Sequence, residues 1–152
     1  LSPFNAWVLS KSLETLHLRM QQHAVHALHL ATALQDHPAL EWVRYPFLDS
    51  HPQQHIAKKQ MSNGGGILTF NIKSGVSGGR KFLNALRMIS MTNNLGDSRT
   101  IASHPASTTH SKLTEEERQA VGITPGLIRI SAGLEYVDDI LADVWQALDQ
   151  CN

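Results

Sequence analysis

At 152 residues the chain has the length of one domain, long enough to bury roughly two-thirds of its unfolded surface. Thirteen basic and thirteen acidic side chains balance, so no net field draws the protein to nucleic acid or to an anionic membrane, and neither is an expected partner. The single cysteine, Cys151, excludes an intrachain disulfide and a thiolate metal cluster and suits a reducing cytoplasm, and no apolar run approaches the ~20 residues of a membrane helix.

In chain order, Ser2 can cap a helix and Pro3 can take its first position, after which Phe4, Trp7, Val8, Leu13 and Leu16 recur at helical spacing. The spacing predicts a helix over about 3–15, and this entry so close to Leu1 predicts a piece of a longer protein. A second helix over 19–36 would place Met20, Ala24, Ala27, Leu28, Ala31 and Leu34 on one side and stop at His37-Pro38. "EWVRYPFL" (41–48) reads as a short strand stopped by Pro46, and 52–61 as a helix with Pro52 in its first turn. "SNGGG" (62–66) is then a turn, and the β-branched, aromatic run "ILTFNI" (67–72) a strand. After the glycine-rich "SGVSGG" (74–79), helical spacing resumes over 80–89.

"MISM" (88–91) reads as a strand leading into "MTNNLGDSRTIASHPASTTHS" (91–111), a polar stretch with neither helical nor strand period. Thr114 and Glu117 have the spacing of a capping box, "LIRISA" (127–132) is the last strand, and 136–149 is amphipathic through Val137, Ile140, Leu141, Val144 and Leu148. Two leading helices (1–36) followed by alternating strands and helices (37–152) predict an α/β sheet with helices packed on it, free of internal repeats.

Nine histidines raise the question of a metal, above all His23, His26 and His29, but no carboxylate or thiolate completes a ligand set around them, and they read as structural or solvated. Neither glycine-rich run has the spacing of a nucleotide-binding loop, although a helix N-terminus near Gly78 offers an anion site. Ser103, Ser107, Thr108 and Thr109 lie near His104 and His110, without the strand-to-helix elbow that exposes a nucleophilic serine. Arg129 stands apart as the one charge inside an apolar strand. Its planar fork requires either an internal Asp or Glu or the carboxylate of a ligand, and spacing leaves both open.

Five ordered blocks, "LSPFNAWVLSKSLETLHLRM", "YPFLDSHPQQHIAKKQM", "GGGILTFNI", "NNLGDSRTIASHPASTTHS" and "GLIRISAGLEYVDDILAD", together resemble the C-terminal third of the Cys/Met metabolism family of pyridoxal-phosphate enzymes. Within it "TNNLGD" looks most like the O-succinylhomoserine sulfhydrylases, because lyases and gamma-synthases usually carry serine at the position of Asn94; "SHPQ" (50–53) points the same way.

The resemblance implies the small C-terminal domain of a fold-type I enzyme, a two-layer α+β sandwich with a mostly antiparallel sheet of about four strands. It implies that Arg129 grips the substrate α-carboxylate, that the Leu95 main-chain N–H donates to the same group, that Asn94 lies close to the reacting carbons, and that Asn93 and Thr109 support them. The implied reaction is γ-replacement on an amino-acid substrate: the α-proton is lost, succinate leaves Cγ, and a sulfur nucleophile adds to give homocysteine. Pyridoxal 5'-phosphate and its Schiff-base lysine belong to the preceding domain, so the resemblance places no catalytic, cofactor-binding or metal-binding residue in this chain and predicts that it is inactive alone. None of Lys11, Lys58, Lys59, Lys73, Lys81 and Lys112 falls where the family carries that lysine. The expected parent is a cytoplasmic homotetramer.

Overall fold

The Ser2 hydroxyl accepts the Asn5 amide at 3.3 Å and Pro3 fills the first helical position, so helix α1 (Pro3–Glu14) begins where its residues predict. The structure, a computed structural model, describes residues 1–151. No side chain of α1 is buried in this chain; Phe4 and Trp7, its largest, are 69% and 58% exposed. Thr15 interrupts the helix, and α2 (Leu16–Leu34) follows.

The buried face of α2 differs from the predicted one. His23, Ala24, His26, Ala27, Leu30, Ala31 and Leu34 point inward, while Met20 and Leu28 lie exposed at its edge. The two histidines are tolerated inside because each ring nitrogen Nδ1 meets a main-chain carbonyl, Ala132 O at 2.6 Å and Gly133 O at 2.9 Å. An apolar count therefore rotates the helix away from its true seat.

Strand β1 (Leu40–Arg44) stops before Tyr45, which turns inward, is 1% exposed, and donates its hydroxyl to Ala24 O and Gly65 O. Burial pushes that phenol up to about 12. Helix α3 (Gln54–Gln60) starts two residues after Pro52, and β2 (Ile67–Ile72) occupies its predicted span.

Helix α4 (Gly75–Ala85) takes in most of "SGVSGG" and so begins before the start expected near Gly78. Gly78 and Gly79 are interior helical positions: a Cβ on Gly78 would lie 2.6 Å from Ile72 Cγ2, and one on Gly79 3.1 Å from His104 Cδ2. These glycines let α4 approach the sheet, and no helix N-terminus or anion site exists at Gly78.

The remaining elements are β3 (Ser90–Met91), β4 (Ile101–Ser103), a 3-10 turn over Pro105–Ser107, α5 (Glu115–Ala120), β5 (Leu127–Ser131), α6 (Val137–Leu148) and a closing 3-10 turn over Asp149–Cys151. The Thr114–Glu117 capping box forms in both directions. The sheet order is β1-β2-β5-β4-β3, antiparallel except for the β3–β4 pair. Five strands replace the expected four because β4 lies inside the stretch read as irregular; three buried residues are too few to show a period.

The sheet has two unlike faces. Leu68, Phe70, Ile72, Ile128 and Ile130 are at most 1% exposed and face α2, α4 and α6, with Phe70 packed edge-on against Phe82 of α4 at 5.4 Å. Each such side chain contributes about 1.5–3 kcal/mol by leaving water. The opposite face carries Thr69, Arg129 and Ser103 as one rung across β2, β5 and β4. One end of it carries a small cluster of Ala106, Ile123, Leu127 and Trp42, and Ser103 and Ser131 on it are 3% exposed. No helix among the described residues is long and apolar enough to cross a membrane.

Candidate functional site

Arg129 stands at the centre of β5, where the period of two sends its side chain to the face opposite α2, α4 and α6 while Ile128 and Ile130 enter the core. It is half-buried. Its Nη2 donates to Asn93 O at 2.8 Å and to Asn94 O at 3.1 Å. Among the described residues no carboxylate pairs with it, which removes the internal ion pair left open by spacing. Nε and Nη1 have no protein partner among the described residues and keep N–H donors available to an anion.

The two carbonyls belong to the loop between β3 and β4, which is tied down at both ends. Thr92 N–H donates to Ala102 O, and Asn94 N–H reaches Thr92 Oγ1 at 3.4 Å. Gly96 turns the chain with φ +75°, in the left-handed region that suits glycine, and gives its N–H to Ser131 Oγ at 3.0 Å. Asp97 accepts the Arg99 amide at 2.9 Å, and this bond is the first cause that holds its carboxyl below the ordinary value. At the far end Glu135 accepts both the amide and the hydroxyl of Thr100, at 2.6 and 2.8 Å, while Thr100 Oγ1 accepts Gly133 N–H at 2.8 Å.

Of the residues singled out by sequence, Asn93 and Asn94 meet Arg129 through their carbonyls, and Leu95 lies in the same turn with its N–H unpaired among the described residues. Thr109 is not brought to the guanidinium; it is exposed and its hydroxyl lies 2.7 Å from His110 Nδ1. A cavity of about 300 Å³ opens beside the turn, lined by Met20, His23, Ile67, Leu95, Gly96 and Ser131 among others. Sequence reasoning missed Ser131, Thr100 and Glu135. The signal available for Ser131 was its place two residues after Arg129, hence on the same face of the strand.

Besides Thr109 with His110, the structure joins a second hydroxyl–histidine pair from the sequence candidates. Ser107 Oγ lies 2.8 Å from His104 Nδ1, and His104 Nε2 lies 2.8 Å from Pro125 O. The ring is 3% exposed against Gly79, with both nitrogens occupied, so it pins the 3-10 turn to α4. Among the described residues no group of three histidine, cysteine or acidic side chains is disposed to hold a metal.

Comparison with known proteins gives this geometry its context. The family model for the Cys/Met metabolism PLP-dependent enzymes matches residues 1–149. The chain is 47% identical over 150 residues to an O-acetyl-L-homoserine sulfhydrylase from Leptospira meyeri, covering 97% of this chain and 34% of that protein. It is 49% identical to an L-methionine gamma-lyase from Pseudomonas putida and 47% identical to an O-succinylhomoserine sulfhydrylase from Mycobacterium tuberculosis, each time covering 97% of this chain and 37% of the relative. A solved structure of a putative O-acetylhomoserine (thiol)-lyase from Campylobacter jejuni, which carries an N'-pyridoxyl-lysine-5'-monophosphate, superimposes with a TM-score of 0.92 at 41% identity. That match covers 98% of this chain and 36% of that one. The chain thus spans little more than a third of the length of these proteins.

Proposed function

The chain belongs to the Cys/Met metabolism PLP-dependent enzymes, and from that premise we propose that it is the substrate-carboxylate-binding domain of a longer O-succinylhomoserine sulfhydrylase, which replaces succinate by sulfide to give homocysteine. The observation that carries the proposal is the partly satisfied Arg129 guanidinium, braced by two carbonyls, with no acid paired to it among the described residues. In this reading the remaining guanidinium N–H groups hold the α-carboxylate, the Leu95 amide adds a further donor, and the two carbonyls keep the guanidinium from swinging away. Asn94 sits beside the reacting carbons, and Asn93 braces Arg129. Arginine suits the task better than lysine because two parallel bonds fix orientation as well as charge.

The family's cofactor is pyridoxal phosphate, which supplies an electron sink for the carbanion formed at Cα. The residues present do not fit it. All six lysines are exposed and none lies on a strand beside Arg129, whereas a Schiff-base lysine needs a desolvated or electrostatically tuned setting. In the proposal the cofactor is held by the part of the parent outside this chain, the parent is a homotetramer, and the 152 residues alone do not turn over.

In the full-length parent, R129A is expected to lower kcat/KM by ~10²-fold, corresponding to a lost charged hydrogen bond of about 3 kcal/mol, with KM raised. An unchanged KM would remove Arg129 from the site. A second reading, methionine gamma-lyase activity, is favoured by the 49% identity to the Pseudomonas putida enzyme. Incubation with O-succinylhomoserine and sulfide yields homocysteine and succinate under the first reading. Release of a thiol, ammonia and an α-keto acid from methionine and water supports the second.

A further inference from the structure

His23 on α2 is 4% exposed, and its ring has one nitrogen committed and one free. Nδ1 lies 2.6 Å from Ala132 O, a carbonyl that can only accept, so Nδ1 carries the ring proton and Nε2 presents a lone pair. Nε2 has no partner among the described residues and is not sealed in by protein atoms; the ring borders the cavity of about 300 Å³ beside the Leu95–Gly96 turn. Gly66 makes room for it, since a Cβ there would lie 3.0 Å from His23 Cβ. The other walls are Met20, Ile67, Leu95, glycines and Ser131, whose Oγ already accepts the Gly96 N–H, and none of them is ionisable. Apolar walls with one acceptor suit a small uncharged ligand that has a hydrogen to donate; an ammonium or a carboxylate would enter without a counter-charge.

The cavity adjoins the Arg129 site. Ser131 in its wall follows Arg129 by two residues on the same face of β5, roughly 7 Å along the strand, and Leu95 follows the Asn94 whose carbonyl holds the guanidinium. In a homoserine ester three single bonds separate the carboxyl carbon from Cγ, about 4 Å when extended, and a nucleophile attacks from about 3–3.5 Å. Together these span the distance from the level of Arg129 to that of Ser131. We propose that this cavity is the sulfur-donor site, that it takes a small uncharged thiol (hydrogen sulfide or an alkanethiol), and that His23 Nε2 receives the S–H proton. This rests on the γ-replacement reading. Succinate departs with the electron pair of the C–O bond, and sulfur bonds to Cγ. The S–H bond breaks with its electron pair left on sulfur, its proton forms the Nε2–H bond, and the imidazolium, still donating from Nδ1 to Ala132 O, later releases that proton to solvent.

The test uses the full-length enzyme with O-succinylhomoserine and three donors: sulfide, methanethiol and cysteine. The wild type should use the first two and disfavour cysteine, whose charges find no partner in the walls, by roughly tenfold or more in kcat/KM. H23N keeps an amide N–H where Nδ1 meets Ala132 O and puts nothing in place of Nε2. It should lower kcat/KM for methanethiol on the order of 10²-fold at pH 7, with kcat/KM for O-succinylhomoserine within about twofold of wild type. The deficit should shrink as pH rises, because thiolate formed in solution needs no base. A merely structural histidine would lower the melting temperature and leave the donor kcat/KM and its pH dependence as in wild type, and that result overturns the proposal. Cysteine accepted as well as methanethiol overturns it too. If H23N does not fold, M20W decides by filling the cavity from its rim: a loss confined to the donor kcat/KM supports the site, and an unchanged value overturns it. A wild type that makes no homocysteine from sulfide fails the γ-replacement reading itself. Wild-type γ-replacement with H23N unaffected removes only the role of His23.

Discussion

Asp143 on α6 is 6% exposed, and its carboxylate accepts three successive main-chain amides, Arg87 at 2.9 Å, Met88 at 2.9 Å and Ile89 at 3.0 Å, besides the Gln146 side-chain amide at 3.1 Å. These amides form the turn that leaves α4 and launches β3, so this one side chain holds the start of the strand from which the Arg129 loop departs. Burial is the largest influence on its acidity and acts upward, but the Ile89, Arg87 and Met88 amides with Gln146 outweigh it, and the carboxyl is held below its ordinary value. Asp143→Asn keeps one acceptor oxygen and turns an NH2 toward donors, leaving at least one buried amide unpaired. At about 1–3 kcal/mol per unsatisfied buried group, and more where a charge is lost, the expected cost is about 2–4 kcal/mol. For a chain of this size that is a fall in Tm of roughly 5–15 °C at pH 7, read by thermal unfolding. A folded pKa below the unfolded one gives stability that is present above the unfolded value and is lost as pH falls through the folded value. The wild-type advantage over the Asn variant should therefore shrink on acidification. A Tm within 2 °C of wild type at pH 7, or an advantage that persists below both values, would refute the reasoning.

R129K in the parent should keep charge but lose the fork and one of the two carbonyl braces, raising KM by ~10-fold or more in steady-state assays, because lysine presents a point charge in place of parallel donors. Glu135→Gln leaves one acceptor for the two Thr100 donors, so Thr100 and Gly96 amides should exchange hydrogen faster by on the order of tenfold while strand β5 stays protected. Burial lowers the pKa of His37 despite Asp149 at 3.7 Å, so stability should fall as pH drops through the ordinary value of 6.5 and level off below the folded value. The His37 titration measured by NMR should have its midpoint below 6.5, and Asp149→Asn should move it lower still.

Local chemistry made some elements readable directly. Ser2 with Pro3 and the Thr114–Glu117 box mark helix starts through contacts that lie within a few residues, and both form. β2 was legible because "ILTFNI" is β-branched and aromatic and bounded by glycine and lysine–serine. What was lost depends on partners distant in sequence. His23 and His26 are core residues because Ala132 and Gly133, more than a hundred positions later, offer carbonyls. Gly78 and Gly79 belong to a helix because Ile72 and His104 crowd it, although glycine by itself reads as a turn. β4 is too short to carry a period. At the site, Arg129 was legible as a lone charge among apolar residues, but its bonds to the Asn93 and Asn94 carbonyls were not, since backbone acceptors leave no mark on residue type. Ser131 was hidden for the same reason: its partner is an amide.

The most direct measurement is a crystal structure of the full-length parent with an unreactive O-succinylhomoserine analogue bound. The account predicts a carboxylate oxygen of the analogue within about 2.7–2.9 Å of an Arg129 guanidinium nitrogen, with the Asn93 and Asn94 carbonyls still on Nη2. A guanidinium paired with an Asp or Glu of the protein, or a ligand carboxylate seated elsewhere, would contradict it.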